Sequence, residues 1–158
     1  MTPTSAEIAR AIAFGIEHGI ADYKLARTWV DNVIEQSEIA DPWMLDLSFC
    51  TKNDALYLLR SVPGVADNTN VYGLLFGLAY DAHKHGHIDA WGLRDIGWRA
   101  YVDDPDASPE HWGLTLELAI ETHIDGFATI VDVDTAVAET LAEIGPYADE
   151  LPRVLKRG

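Results

Sequence analysis

Apolar residues recur every three or four positions along most of the chain. Ile8, Ile12 and Ile16 follow this spacing, and Leu25 and Trp29 follow it further on. This is the periodicity of an amphipathic α-helix, whereas a half-buried strand alternates apolar and polar residues. The pattern predicts an all-α fold of about seven to eight helices.

Short polar residues mark the helix starts in the first half of the chain, because their side chains accept hydrogen bonds from free N–H groups there. The predicted N-caps of the first four helices are Thr4, Asp22, Asp41 and Thr51. Glu7 and Asp54 follow two of these caps by three residues, which is the capping-box spacing. Residues 65–70 are rich in Asp and Asn and are expected to form a loop before the fifth helix.

The second half of the chain is predicted to contain three more long helices. The sixth runs from about Asp89 to Val102, and a seventh starts at Ser108-Pro109 and ends near His123. Residues 127–133 are rich in β-branched side chains and are expected to form a short extended connector, since one strand alone is not stable. Asp134 is then the predicted cap of the last helix, which Gly145-Pro146 is expected to stop.

The expected architecture is a single domain, residues 1–158, of stacked antiparallel helical hairpins. Residues 147–158 either add a turn or fray. Gly73 and Gly77 lie four residues apart and would let a neighbouring helix approach closely. Three turns resemble one another, at residues 18–22, 85–89 and 122–125, and local capping explains the likeness without a true repeat.

The 158 residues include 26 Asp and Glu against 11 Lys and Arg, which gives a formal net charge of −15. The excess is concentrated, because no Lys or Arg lies between Arg99 and Arg153. Half of the acids fall in residues 103–150, which we call the acidic third. Repulsion at this density costs stability unless a partner or bound cations offset it. Two alternatives would explain this acidity without a partner. One is an ordinary solvated face, and the other is adaptation to a salty cytoplasm.

We expect the acidic third to bind a basic protein partner. Glu117 and Glu121 lie on one face of the seventh helix together with Glu110, and acids on the last helix repeat the pattern. The candidate partner-binding residues are Asp103, Asp104, Asp106, Glu110, Trp112, Glu117, Glu121, Asp125, Glu139 and Glu143.

The same charge argues against binding nucleic acid or an anionic membrane, because both require clustered Lys and Arg. No apolar run reaches the ~18 residues of a membrane span, and the N-terminal residues lack the pattern of a signal peptide. The single cysteine, Cys50, excludes an intrachain disulfide and indicates a reducing compartment. These features predict a cytoplasmic protein.

One cluster of side chains offers an alternative, a metal-binding protein or a metal-dependent enzyme. It consists of His83, His85, His87 and Asp89. Imidazole and carboxylate groups bind zinc or iron, but in a continuous helix only His83 and His87 would share a face. A catalytic role is not favoured, since the chain contains no nucleophile-elbow, phosphate-loop or dinucleotide-binding motif, and no cofactor is expected. A structural or assembly protein is a third possibility.

Residues 14–20 (FGIEHGI), residues 26–29 (ARTW) and the acidic third give the chain a resemblance to a class of bacterial proteins. It resembles the small, acidic, all-helical immunity proteins that neutralise polymorphic toxins. The resemblance implies a carboxylate-rich surface that blocks a basic toxin. It carries no diagnostic motif and transfers no individual functional residue.

Overall fold

A computed structural model describes residues 2–106 and 112–157, except for the side chains of residues 112–114. The described chain contains eight α-helices and one short 3₁₀ helix, and no strand is found in it. The helices are α1 (Ser5–Glu17), α2 (Tyr23–Glu35), α3 (Pro42–Ser48), α4 (Ala55–Arg60), α5 (Asn68–Lys84), α6 (Ala90–Asp103), α7 (Trp112–Ile124) and α8 (Ile130–Asp149), and the 3₁₀ helix spans Arg153–Leu155. The predicted all-α fold is confirmed.

Helix α5 lies at the centre of the packing. Residues 71–79 within it are all buried, as expected for a helix that is covered on every side. Helices α5 to α8 close a ring of four, because each packs against the next and α8 packs back along α5. Helix α1 covers another side of α5, α4 packs against α1, and α2 and α3 pack together beside them. The buried apolar side chains form one connected core.

Glycine makes the close packing of α5 on α8 possible, as the sequence predicts. A Cβ atom on Gly77 would lie 2.8 Å from the carbonyl oxygen of Tyr147 and 2.9 Å from Cγ of Leu151. One on Gly73 would lie 3.1 Å from the Tyr147 ring. Phe76 meets the same tyrosine ring edge-on, with ring centroids 5.9 Å apart. The two helices therefore interlock around Tyr147.

The α1–α2, α5–α6 and α7–α8 turns share one backbone design. In each, a glycine adopts a left-handed conformation, with φ of 73°, 74° and 84° at Gly19, Gly86 and Gly126. The next residue donates its N–H to a carbonyl five positions back, at 2.8 to 2.9 Å. Three residues after the glycine comes the N-cap of the following helix, and these caps are Asp22, Asp89 and Thr129. Capping accounts for the likeness of these turns, and the third turn spans residues 125–129 rather than the expected 122–125.

The start of α8 corrects two predictions. Residues 127–133 do not form an extended connector, since α8 begins at Ile130 and its cap is Thr129 rather than Asp134. Thr129 Oγ1 accepts from the Asp132 N–H at 3.4 Å, and the Asp132 carboxylate accepts from the Thr129 N–H at 2.8 Å. This reciprocal capping box after the left-handed Gly126 outweighs the strand propensity of the β-branched residues.

Three other boundaries differ from the prediction. Helix α5 begins at Asn68 with Asp67 as its cap, so the second half of the loop expected over residues 65–70 is helical. Thr51 and Asp54 are hydrogen-bonded as expected, with 2.6 Å between the Thr51 nitrogen and the Asp54 carboxylate, but α4 begins only at Ala55. Helix α8 continues through Pro146 to Asp149, although Gly145-Pro146 was expected to stop it. A proline removes one N–H donor, and the packing of Tyr147 against α5 holds the last turn in place.

The segment after α8 is held against the rest of the fold. Leu151 and Leu155 are buried. The N–H of Arg157 donates to the Asp81 carboxylate on α5 at 2.7 Å, and its guanidinium donates to the carbonyl of Ile20. The basic tail therefore contacts both the α1–α2 turn and the central helix.

Candidate functional site

The structure divides the ten candidate residues into three groups. Glu110 and the side chain of Trp112 lie outside the described residues. Asp104 and Glu117 are half-buried. The remaining six are exposed, and they are Asp103, Asp106, Glu121, Asp125, Glu139 and Glu143.

The two acids at the end of α6 interact within the protein. The Asp103 carboxylate lies 3.4 Å from the Arg99 guanidinium, one helical turn back. The Asp104 carboxylate accepts a hydrogen bond of 3.0 Å from the Asn68 amide on α5. The first contact lies within α6 and the second joins the end of α6 to the start of α5, so part of the predicted acidic surface serves the fold.

Glu117 on α7 faces α6 rather than open solvent. One of its oxygens lies 3.2 Å from Nε of Arg94, and both side chains are only 20% exposed. Burial and a hydrogen bond with Glu121 raise the pKa of Glu117 above its ordinary value, and the charge of Arg94 offsets this only in part. The sequence pattern placed both glutamates on one surface, but only Glu121 is exposed.

Helix α8 carries a longer acidic stripe than the sequence analysis identified. Asp132, Glu139, Glu143 and Glu150 are all exposed. Their spacing of i, i+7, i+11 and i+18 places them within an arc of about 40° on the helix surface. Sequence periodicity could have found Asp132 and Glu150, because the same spacing includes both.

Exposed apolar side chains lie among these acids at the α7–α8 turn. We call them the turn patch: Ile124 is 63% exposed, Phe127 87%, Ile130 48% and Val131 66%. These residues were not predicted to be exposed, because residues 127–133 were expected to form a connector and α7 to have a single apolar face. The signal was present in α7, where apolar residues occur on all sides of the helix and exceed what one buried face can take.

The histidine cluster is not assembled into a site. His83 is half-buried, whereas His85 and His87 are exposed. Nδ1 of His85 lies 2.8 Å from the carbonyl oxygen of Asp81, and the Asp89 carboxylate accepts from the Gly92 N–H as the cap of α6. Among the described residues, no three His, Cys, Asp or Glu side chains are grouped closely enough to hold a metal ion. The geometry gives no support to the metal-binding alternative.

Cys50 is a core residue, as the sequence indicates. It is 1% exposed, and burial raises the pKa of its thiol, with the nearby charge of Asp54 acting in the same direction. A thiol is a weak nucleophile unless it ionises, so this environment disfavours nucleophilic chemistry.

Comparisons of the chain with protein-family models, with curated protein sequences and with solved structures find no match. Within the described residues, none of the helices is both long and apolar enough to cross a bilayer.

Proposed function

We propose that this protein is a cytoplasmic binding module that docks a basic protein partner through the exposed carboxylates of α7 and α8. The observation that carries the proposal is the composition of residues 103–150, which hold half of the 26 acids without one Lys or Arg. Exposed carboxylates of the described part include Glu121, Asp125, Glu139 and Glu143.

The physical basis is electrostatic complementarity. Like charges on neighbouring helices repel one another, and Arg94 of the preceding helix is already paired with Glu117 and Asp95. A partner with clustered Lys and Arg would relieve this repulsion. It would also approach faster, because complementary fields steer association by factors of 10 to 10³ at low salt.

The resemblance to immunity proteins suggests the kind of partner, a basic toxin that this protein would neutralise. Blocking such a toxin needs a complementary surface and no catalytic group. The partner class is therefore part of the proposal, and binding is its testable core.

The test begins with the partner and uses matched charge reversals. Protein bound to the immobilised, untagged chain in a lysate of its source cells is identified by mass spectrometry, purified and titrated by calorimetry. The test variant is Glu139→Lys/Glu143→Lys on α8. Its control is Glu35→Lys/Glu38→Lys on and after α2, where both side chains are exposed and the net charge changes equally. Glu117 is avoided because reversing it would place a lysine against Arg94.

We expect the α8 variant to bind the purified partner at least tenfold more weakly, which is about 1.4 kcal/mol. The α2 variant should keep most of the affinity, and raising the salt concentration should weaken binding by the unmodified chain. Equal loss in both variants would mean that only net charge matters, and a partner without a basic surface would contradict the proposal.

A further inference from the structure

The α7–α8 turn carries four exposed apolar side chains, which are interspersed along the chain with exposed acids. Ile124, Phe127, Ile130 and Val131 form the turn patch, and they lie within one turn and the two helix ends that flank it. The exposed acids of the same segment are Glu121, Asp125, Asp132 and Asp134. An apolar centre with a charged, solvated rim is the common anatomy of a protein–protein interface.

Several hydrogen bonds hold the backbone of this turn in place. The Phe127 and Ala128 N–H groups donate to the carbonyl of Thr122 at 2.9 and 3.2 Å. A ring nitrogen of His123 lies 2.9 Å from the Ala128 carbonyl oxygen. The Thr129 capping box then starts α8. The Phe127 ring is therefore presented from an ordered support, which lowers the entropy lost when a partner covers it.

The equivalent position of the α1–α2 turn shows that this exposure is not a requirement of the turn. Ile20 follows Gly19 as Phe127 follows Gly126, with the same backbone hydrogen bond, yet Ile20 is only 1% exposed. An apolar residue at this position usually packs back onto its own helix. Phe127 does not, and is 87% exposed.

We propose that the turn patch is the anchor point for a basic amphipathic segment of a protein partner. Apolar side chains of that segment cover Phe127 and Ile124, and its Lys and Arg side chains contact the surrounding carboxylates. This inference rests on the proposed function, and it assigns the turn patch as the centre of the proposed binding surface. A second copy of the chain does not fit, because a two-fold contact would bring the same carboxylates together. Anionic lipid and nucleic acid are repelled by the same charges.

The test uses two synthetic peptides of equal charge. The first is a 14-residue helical peptide of Leu and Lys in amphipathic order, and the second has Ser in place of every Leu. Each is titrated into the full chain by calorimetry. The test variant is Ile124→Ser/Phe127→Ser, and its control is Ile39→Ser/Phe49→Ser, whose side chains are 79% and 76% exposed in the first half of the chain. Circular dichroism and the melting temperature establish that each variant is folded.

We expect the Leu–Lys peptide to bind the turn variant at least tenfold more weakly and the control within twofold, because the turn patch loses the apolar area it buries. The Leu–Lys peptide should also bind the unmodified chain at least tenfold more tightly than the Ser–Lys peptide. Asp125→Asn/Asp134→Asn should weaken the binding of both peptides.

Separate outcomes test the inference and the function on which it rests. If the turn variant binds the Leu–Lys peptide normally while Glu139→Lys/Glu143→Lys does not, the anchor is wrong and the acidic docking function stands. If neither variant is impaired, both are wrong. Self-association in sedimentation, or binding to phosphatidylcholine vesicles, that the turn variant abolishes would overturn the inference in favour of a second copy or a lipid surface.

Discussion

Arg94 on α6 and Glu117 on α7 form an ion pair between helices, with 3.2 Å between the guanidinium and the carboxylate. It joins the mildly acidic first part of the chain to the acidic third. Glu121 lies one turn further along α7 and is hydrogen-bonded to Glu117. Arg94 is also paired with Asp95, at 2.8 Å. One cation is therefore shared by three carboxylates, and this sharing limits how much the ionised Glu117 contributes to stability.

We predict that Glu117→Gln leaves the protein as stable as before at pH 7, or stabilises it by less than about 1 kcal/mol. Burial and Glu121 raise the pKa of Glu117 above its ordinary 4.5. The carboxylate of Glu117 therefore binds a proton more tightly in the folded state than in the unfolded state. Stability is therefore lost as the pH rises from 4.5 through the folded pKa. A glutamine keeps a donor for Glu121 and an acceptor for Arg94 without the charge.

The measurement is urea unfolding of both proteins between pH 4 and pH 8. The unmodified chain should lose stability relative to Glu117→Gln as the pH rises. A variant that is less stable at pH 7 by more than 1 kcal/mol would show that the ion pair outweighs burial and the second carboxylate.

Glu7 presents the opposite case, a buried carboxylate whose hydrogen bonds are complete. It is 3% exposed and accepts from the N–H groups of Thr4 and Asp67 at 2.9 and 3.1 Å and from the Asn70 amide at 3.1 Å. Burial alone would raise the pKa of Glu7, but these three bonds lower it below 4.5. The charge thereby ties the start of α1 to the start of α5.

We predict that Glu7→Gln destabilises the fold by roughly 1 to 3 kcal/mol at pH 7, because an amide NH₂ replaces an acceptor among donors. The stability that ionised Glu7 contributes is fully present above pH 4.5 and is lost as the pH falls through the lower folded pKa. Urea unfolding should therefore show the gap between variant and parent closing below pH 4.5. Glu38→Gln, at an exposed position, is the control and should change stability little at any pH.

The helices were predictable because their signals are local. Thr4, Asp22 and Asp89 cap helices as their sequence contexts indicate. The last helix was mispredicted at both ends, because Gly145-Pro146 and the β-branched residues before Asp134 are local signals that other contacts outweigh. Tyr147 packs on α5, and Thr129 forms its capping box with Asp132.

Gly77→Ala should destabilise the protein by about 1 to 3 kcal/mol, in spite of the higher helix propensity of alanine. Its Cβ would lie 2.8 Å from a backbone oxygen of Tyr147, so α5 and α8 would have to separate. Gly73→Ala is the comparison variant and should lose less stability than Gly77→Ala. Its Cβ would meet only the Tyr147 ring, at 3.1 Å, and a ring can turn. Thermal unfolding of both variants measures the difference. A Gly77→Ala protein as stable as Gly73→Ala would show that the helices can move apart freely.

The charged part of the candidate site was predictable in composition but not in detail. Sequence spacing placed Glu117 and Glu121 on one side of a helix, and it could not show that Arg94 of the preceding helix covers one of them. The turn patch depends on which apolar residues the core leaves uncovered. The excess of apolar residues in α7 indicates that some of them stay uncovered, but the packing between α7 and α8 decides which ones.

Ile20 and Phe127 occupy equivalent turn positions, so the same substitution at each separates a core residue from a surface residue. We predict that Ile20→Ser costs roughly 3 kcal/mol or more, since a side chain that is 1% exposed leaves a cavity and a hydroxyl in its place. Phe127→Ser should change stability by no more than about 0.5 kcal/mol, because an 87% exposed ring has little packing to lose. Urea unfolding at pH 7 gives both values. Comparable losses at the two positions would place Phe127 in the core, and the turn could then no longer present its ring to a partner.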